Sequence, residues 1–316
     1  MIKQLGWGVA MAAMVMSGCV ATGPAVASAA GKVQVIAHRG ASAYAPENTL
    51  ASFALASTLG ADWFELDCTL TRDGAVIVIH DDAVDRVTNG KGRVADLTLA
   101  EVQRLDAGSW KDPKFAGERL PTLEQALALA RDRHIGVYIE IKPAADDTTL
   151  YDAIAKLAGD RETLTPELRR QMLALIAASG SRNLELTRKT IALVRRQRME
   201  KQVVIQSFSP IICALALDQA PEMRTELLAG RDRKHPENWA NTLRWLNWVG
   251  AAGLNVDLGA VDPELIADCH RRSRSMAVWT VDNEADMRRL AEQGVERIIT
   301  NRPDACLKLL TAMGKR

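Results

Sequence analysis

From residue 32 onward, short aliphatic and β-branched runs alternate with stretches whose apolar positions recur at helical spacing. Runs at 33–37, 62–66, 75–79, 137–141, 203–205, 254–256, 276–278 and 297–299 predict strands, with a fainter run at 223–227. Helices are predicted over 49–58, 123–132, 184–198, 210–219, 263–271, 285–293 and 304–312. Strands alternating with helices build βαβ units on a parallel sheet. Seven or eight such units at this length predict an α/β chain closed into a TIM-like (β/α)8 barrel. Two stretches interrupt the alternation. Residues 82–120, rich in Gly, Asp and Lys, read as a small insertion, and 143–182 as a second excursion, helical around 166–178. Pro121 and Thr122 restart the pattern, with Thr122 suited to cap a helix.

The polar positions fall where such a barrel does its chemistry, at the C-terminal ends of the strands. His38 and Arg39 follow the first predicted strand, Glu65 and Asp67 close the second, and His80 and Asp81 follow the third. Glu140 and Lys142 close the fourth; Gln206, Trp279 and Asn301 follow later ones. The N-terminal ends read as mostly plain. Alternation along a strand turns Glu65 and Asp67 to one face and Phe64 and Leu66 to the other. The same rule turns Glu140 and Lys142 inward and Ile139 and Ile141 outward. Inward carboxylates repel in a low-dielectric mouth, and a divalent cation resolves the conflict. Oxygen-only ligation suits hard Mg2+ or Ca2+ better than zinc. Glu140 with Lys142 alone reads equally well as a buried ion pair; the three acids together favour the metal. Arg39, before Gly40, has a planar fork suited to phosphate.

Composition narrows the class further. Forty basic residues against 39 acidic ones leave no basic stripe, so nothing points to nucleic acid. Lys3 followed by an apolar run at 5–16 reads as a signal peptide over 1–18, too short to span a bilayer. Met16-Ser17-Gly18-Cys19 resembles a bacterial lipobox, which would make Cys19 a lipidated N-terminus and 19–31 a flexible tether before a domain at 32–316. Ala27-Ser28-Ala29 offers an ordinary cleavage site instead. Either route implies export, to the periplasmic face of the outer membrane or to the soluble periplasm, with membrane contact only through the anchor. Cys68, Cys213, Cys269 and Cys306 form no CxxC pair and read as small buried apolar residues. Nothing in the sequence speaks to oligomeric state.

Taken in order, the motifs carry a family resemblance. They are His38-Arg39-Gly40, Pro46-Glu47-Asn48-Thr49, Glu65-x-Asp67, His80-Asp81, Arg119-Leu120-Pro121-Thr122-Leu123, Ile139-Glu140-Ile141-Lys142-Pro143, Gln206-Ser207-Phe208, Trp279-Thr280-Val281 and Ile298-Ile299-Thr300. Between residues 33 and 303 the set resembles the glycerophosphodiester phosphodiesterases. The resemblance implies one divalent cation, Mg2+ or Ca2+, on Glu65, Asp67 and Glu140, with His38 and His80 as the acid–base pair. It implies Arg39 and Lys142 on the phosphate, Glu47 steadying a neighbour from behind, and Trp279 walling the pocket against glycerol. The expected reaction releases glycerol 3-phosphate and an alcohol from a small glycerophosphodiester. Sequence does not say which histidine is base, or which alcohol leaves. Two alternatives stand beside it: lysophospholipase D-like hydrolysis of intact lysolipids, and a lipoprotein that binds glycerophosphodiesters without cleaving them. Asp282 stands where the family often has asparagine and Asn301 where aspartate is common; both departures are expected to matter little.

Overall fold

The structure is a computed structural model that describes residues 31–231 and 234–316; the expected leader, Cys19 and the tether up to residue 30 lie outside the described residues. Nine strands form one sheet: β1 Gln34–Ala37, β2 Trp63–Leu70, β3 Val76–Val78, β4 Gly136–Ile141, β5 Val203–Ser207, β6 Arg224–Ala229, β7 Gly253–Asp257, β8 Ser275–Trp279 and β9 Arg297–Thr300. β1 pairs in parallel with both β2 and β9, which closes the eight parallel strands into a barrel. Around it, α1 (Leu50–Thr58) is the first outer helix, α2 (Leu99–Val102) belongs to the 82–120 segment, and α3 (Leu123–Asp132) resumes the outer layer. That layer continues as α4 (Thr148–Ala158), α5 (Pro166–Ala178), α6 (Arg182–Gln197), α7 (Pro210–Gln219), α8 (Pro236–Val249), α9 (Pro263–Arg271), α10 (Glu284–Gln293) and α11 (Pro303–Ala312). Thr122 caps α3 as expected, accepting from the Gln125 amide while Gln125 caps in return. No helix among the described residues is long and apolar enough to cross a membrane.

Alternation holds where the chemistry was expected. Phe64, Leu66, Ile139 and Ile141 pack outward in one apolar cluster with α1 and α3, and Phe64 stacks on Phe53 with ring centroids 4.3 Å apart. Inside the barrel, Ile36, Tyr138, Val204, Ala277 and Ile299 make an apolar layer below the mouth. Among the described residues, Cys68, Cys213, Cys269 and Cys306 are buried and free.

Two strand expectations change rank. The run at 75–79 is not a barrel strand: β3 folds back antiparallel on the extended end of β2, pairing Cys68 with Val78 and Leu70 with Val76. Residues 71–75 are too few for a parallel crossover, which needs about a dozen. The faint run at 223–227 is a full barrel strand, β6. It reads polar because Arg224 and Glu226 face the barrel floor. There Glu226 is fully buried and flanked by Arg224 Nε at 2.5 Å and Arg297 Nη1 at 3.2 Å. The N-terminal ends are therefore not plain: they carry a buried ion cluster, completed by Ser275 Oγ, which accepts from Arg297. Helices α4 and α8 were not anticipated individually; Thr, Asp and Asn weaken their intrinsic helical signal, and packing secures them.

β3 and the segment that follows it enclose a satellite core of Ile77, Ile79, Val84, Val87, Val94, Val102, Ala107 and Leu120. That core makes residues 82–120 a fixed wall on one side of the barrel mouth rather than a loose loop.

Candidate active site

Register assembles the acidic triad. Asp67 on β2 and Glu140 on β4 are direct neighbours across parallel strands, and Glu65 lies two residues below Asp67 on the same face. One oxygen from each carboxylate falls within 4.8 Å of the others, and all three residues are buried. Burial, then Asp67, then Glu140 push the Glu65 carboxyl well above the ordinary range. Burial and Asp67 raise that of Glu140 to about 7, against the opposing pull of Lys142. Glu140 Oε1 has no hydrogen-bond donor, and Lys142 Nζ lies 3.1 Å away as an ion-pair partner. Three crowded oxygen donors with one lysine among them suit a hard divalent cation. Asn48 fixes the triad from behind: its Nδ2 donates to Asp67 Oδ2 at 2.8 Å, and its Oδ1 accepts from the Asp67 amide.

The loop after β1 explains why arginine and glycine follow His38. Arg39 adopts a positive φ of 54°, which aims its backbone N–H at Glu65 Oε2, 2.8 Å away. Gly40 also has a positive φ, and a Cβ there would lie 2.6 Å from the Ser52 backbone carbon. Any side chain would push the loop off the start of α1. Arg39 Nη1 donates to Glu47, while its buried Nε has no hydrogen-bond acceptor and sits 3.5 Å from Asp67.

The two histidines are held differently. Asp282 can only accept, so the Asn301 amide nitrogen must face it, at 2.6 Å. Asn301 Oδ1 therefore faces His38 Nδ1 at 2.8 Å and also accepts from Ser42 Oγ. This orientation obliges Nδ1 to carry the proton and leaves Nε2 with its lone pair. Burial, then Arg39, lower the His38 pKa, against the opposing pull of Asn301, Asp67 and Glu47. Asp282 and Asn301 thus together set the His38 tautomer. His80 Nδ1, in contrast, donates directly to the Asp81 carboxylate at 2.6 Å, so Nε2 is again the nitrogen left to exchange a proton.

Behind His80 stands a residue with no sequence-level role. Arg86 donates through Nε to Asp81 at 2.6 Å, and through both terminal nitrogens to Glu47 at 2.9 and 2.8 Å. The Arg86 hydrogen bond, opposed by partial burial and helped by His80, holds Asp81 at about 2. Against its own burial, Arg86 and Arg39 hold Glu47 at about 2 as well. Glu47 thus accepts from Arg39 and from Arg86 alike. An arginine five residues beyond an acid is not a signal that spacing alone reveals in a loop.

Two cavities flank this centre. One, of 400 Å³, is lined by His38, Arg39, Ser42, Glu47, Trp110, Lys111, Asp282 and Asn301. Trp110 and Lys111 come from the 82–120 segment, where Lys111 Nζ donates to Ser42 O. The other, of 330 Å³, is lined by Tyr151, Phe208, Leu228 and Trp245 among others. Trp279 stands edge-on to Phe208, with ring centroids 5.7 Å apart, and its indole N–H reaches Asn255 O at 3.3 Å. Both excursions in the sequence therefore contribute walls, through Trp110 on one side and Tyr151 on the other.

Known proteins agree with this geometry. The sequence profile of the glycerophosphoryl diester phosphodiesterase family matches residues 38–305. A glycerophosphodiester phosphodiesterase of Caldanaerobacter subterraneus subsp. tengcongensis is 36% identical over 90% of this chain and all of its own. One from Bacillus subtilis is 32% identical over 86% of this chain and 85% of its own. Among solved structures, an Oleispira antarctica phosphodiesterase in complex with the product sn-glycerol-3-phosphate superposes with a TM-score of 0.70. It is 25% identical, over 88% of this chain and 96% of its own. These likenesses set aside the binding-only alternative. A closed barrel with an acidic triad in its mouth, matched along almost its whole described length, makes this chain a phosphoric diester hydrolase and a member of the glycerophosphoryl diester phosphodiesterase family.

Proposed function

We propose that the chain cleaves small glycerophosphodiesters to glycerol 3-phosphate and an alcohol, with a divalent cation on Glu65, Asp67 and Glu140, His38 as general base and His80 as general acid. The observation that carries this reading is a cluster of three buried carboxylates together with two imidazoles that are each anchored through Nδ1, which leaves Nε2 as the nitrogen free to exchange a proton. When bound, the cation would offset two of the triad's three negative charges and supply Lewis acidity toward the phosphate. Mg2+ and Ca2+ both fit the oxygen donors.

The remaining work falls to the chain. Arg39 and Lys142 bind the phosphate oxygens and orient the diester. His38, whose low pKa keeps it neutral near neutral pH, takes the proton of the glycerol hydroxyl next to the ester oxygen. That hydroxyl oxygen attacks phosphorus and forms a cyclic phosphate. The bond to the other arm breaks as His80 Nε2 delivers a proton to the departing oxygen. Asp81 offsets the positive charge on His80 before transfer. Water then opens the ring with the two histidines in exchanged roles, giving glycerol 3-phosphate. Trp279 and Phe208 supply an apolar wall against the glycerol carbons.

General acid–base groups each contribute about 100–10,000-fold. His38→Ala and His80→Ala should each lose at least the lower figure in kcat, read by coupled release of glycerol 3-phosphate. Full activity in either purified variant refutes the assignment. A second reading, lysophospholipase D-like hydrolysis of intact lysolipids, is favoured by the 330 Å³ cavity with Tyr151, Phe208 and Trp245 in its wall. Comparing glycerophosphocholine with lysophosphatidylcholine as substrates separates the two. Export, with lipidation at Cys19, completes the proposal. Metabolic labelling with a palmitate analogue, lost in Cys19→Ala, is the outcome it requires.

A further inference from the structure

Arg86 uses three of its five N–H groups on two carboxylates from different parts of the chain. Asp81 is the partner of His80, and Glu47 is the partner of Arg39. Both acids are more shielded than ordinary surface carboxylates, with side-chain exposures of 29% and 13%. Brought to one guanidinium, they would repel each other in its absence. Isolated surface ion pairs contribute little, but bidentate geometry within a network is the exception. The arginine is also held in place. Val84 and Val87 on either side of it are buried in the satellite core, Val84 N donates to Gly92 O, and Thr88 Oγ1 donates to Val84 O.

We propose that Arg86 is a positioning residue that couples the two histidine-bearing halves of the active site. Through Asp81 it sets the orientation of His80, and through Glu47 that of the phosphate-binding Arg39. Its guanidinium is committed to these acids, so it orients the catalytic groups without touching substrate. It also makes the 82–120 segment part of the catalytic apparatus, since Arg86 ties that wall to Glu47 after β1 and to Asp81 after β3. The inference rests on the acid–base roles proposed above, and its test is chosen to stand apart from them.

The experiment compares wild type with Arg86→Gln and Arg86→Lys as full-length chains, at saturating Mg2+ for kinetics and NMR and after chelator treatment for calorimetry. Three quantities are read: kcat and KM on glycerophosphocholine, Mg2+ affinity by calorimetry, and the imidazole nitrogens by 15N NMR. The His80 signal is identified by its absence in His80→Gln. Arg86→Gln should lower kcat about 10–100-fold, the usual weight of a group that orients a site from behind. Mg2+ affinity should stay at the wild-type value, because Arg86 touches none of the triad. The neutral His80 ring should change from the single Nδ1–H tautomer to a mixture. Arg86→Lys keeps the charge but offers no planar fork, so it should recover only part of kcat. Wild-type kcat with an unchanged His80 spectrum in Arg86→Gln overturns the proposal. So does a loss of kcat that is matched by an equal loss of Mg2+ affinity and leaves the His80 tautomer intact. Should Arg86→Gln fail to fold, Arg86→Lys is read against the same criteria. If the wild-type chain cleaves no glycerophosphodiester, the functional reading fails, while the His80 spectrum still decides the coupling.

Discussion

At the scale of the residue, the face that Asn301 presents to His38 is an amide carbonyl, with the Asp282 carboxylate one hydrogen bond further away. A neutral acceptor fixes the tautomer without adding a negative charge beside the ring. Burial, then Arg39, keep the His38 pKa below the ordinary imidazole value against the upward pull of Asn301, Asp67 and Glu47. A base must be unprotonated to act, so the acid limb of kcat/KM should lie below about 6.5. Asn301→Asp places a carboxylate against Nδ1 and should move that limb to higher pH. Asn301→Leu removes the acceptor and should cost about tenfold or more, the equivalent of one buried hydrogen bond worth about 1–3 kcal/mol. A pH–rate profile of both variants checks the pair. An acid limb left in place in Asn301→Asp would remove His38 from the role of base.

At the scale of the element, one acid, Asp106, organises the turn of the 82–120 wall that faces the mouth. Asp106 accepts from the backbone amides of Gly108, Ser109 and Gly117, and those bonds hold its carboxyl well below the usual range. They also shape the turn that presents Trp110 and Lys111 to the 400 Å³ cavity. Asp106→Ala should loosen that turn, raising KM while leaving Mg2+ affinity unchanged. Steady-state kinetics beside calorimetry tests this, and an unchanged KM would remove Trp110 and Lys111 from the substrate path. The strand β2 shows what such elements owe to context. Its first half belongs to the barrel and carries Glu65 and Asp67, while its second half leaves to pair with β3. The hydrophobic pattern reads the same in both halves, because each side of the strand is covered in each.

At the scale of the whole molecule, the barrel is charged at both ends. The floor cluster sets the Glu226 carboxylate between Arg224 and Arg297, so removing that carboxylate strands the buried positive charge of Arg297. Glu226→Gln should cost about 3–5 kcal/mol. At roughly 2–4 °C per kcal/mol for a domain of this size, that is a fall in Tm of roughly 6–20 °C. The mouth is not internally balanced. In the metal-free chain the Glu140 carboxyl sits near 7 rather than at its ordinary 4.5. A group whose folded pKa is raised binds its proton more tightly folded than unfolded. It therefore withdraws stability as pH rises from about 4.5 through about 7. A cation that displaces the proton restores it, so Mg2+ or Ca2+ should raise Tm more at about pH 8 than at about pH 5.5. Thermal melts with and without chelator measure this. An equal rise at both pH values would argue against cation binding at Glu140.

Much of the fold and the centre of the site were legible in the chain itself. Period-two alternation turned Glu65, Asp67 and Glu140 inward before any coordinates, because successive side chains on a strand must oppose. Strand–helix alternation implied the closed barrel for similarly local reasons. What stayed hidden was every contact between loops that register does not govern. Asn301 turns to His38 across 263 residues, and Arg86 reaches Glu47 across 39. The polarity of β6 could be understood only once Arg297 lay beside Glu226 on the barrel floor. Sequence determined which groups the mouth contains, since periodicity is a property of the backbone. Tertiary structure alone decided how each is held, since tautomer, orientation and charge depend on neighbours that only folding brings within a hydrogen bond's length.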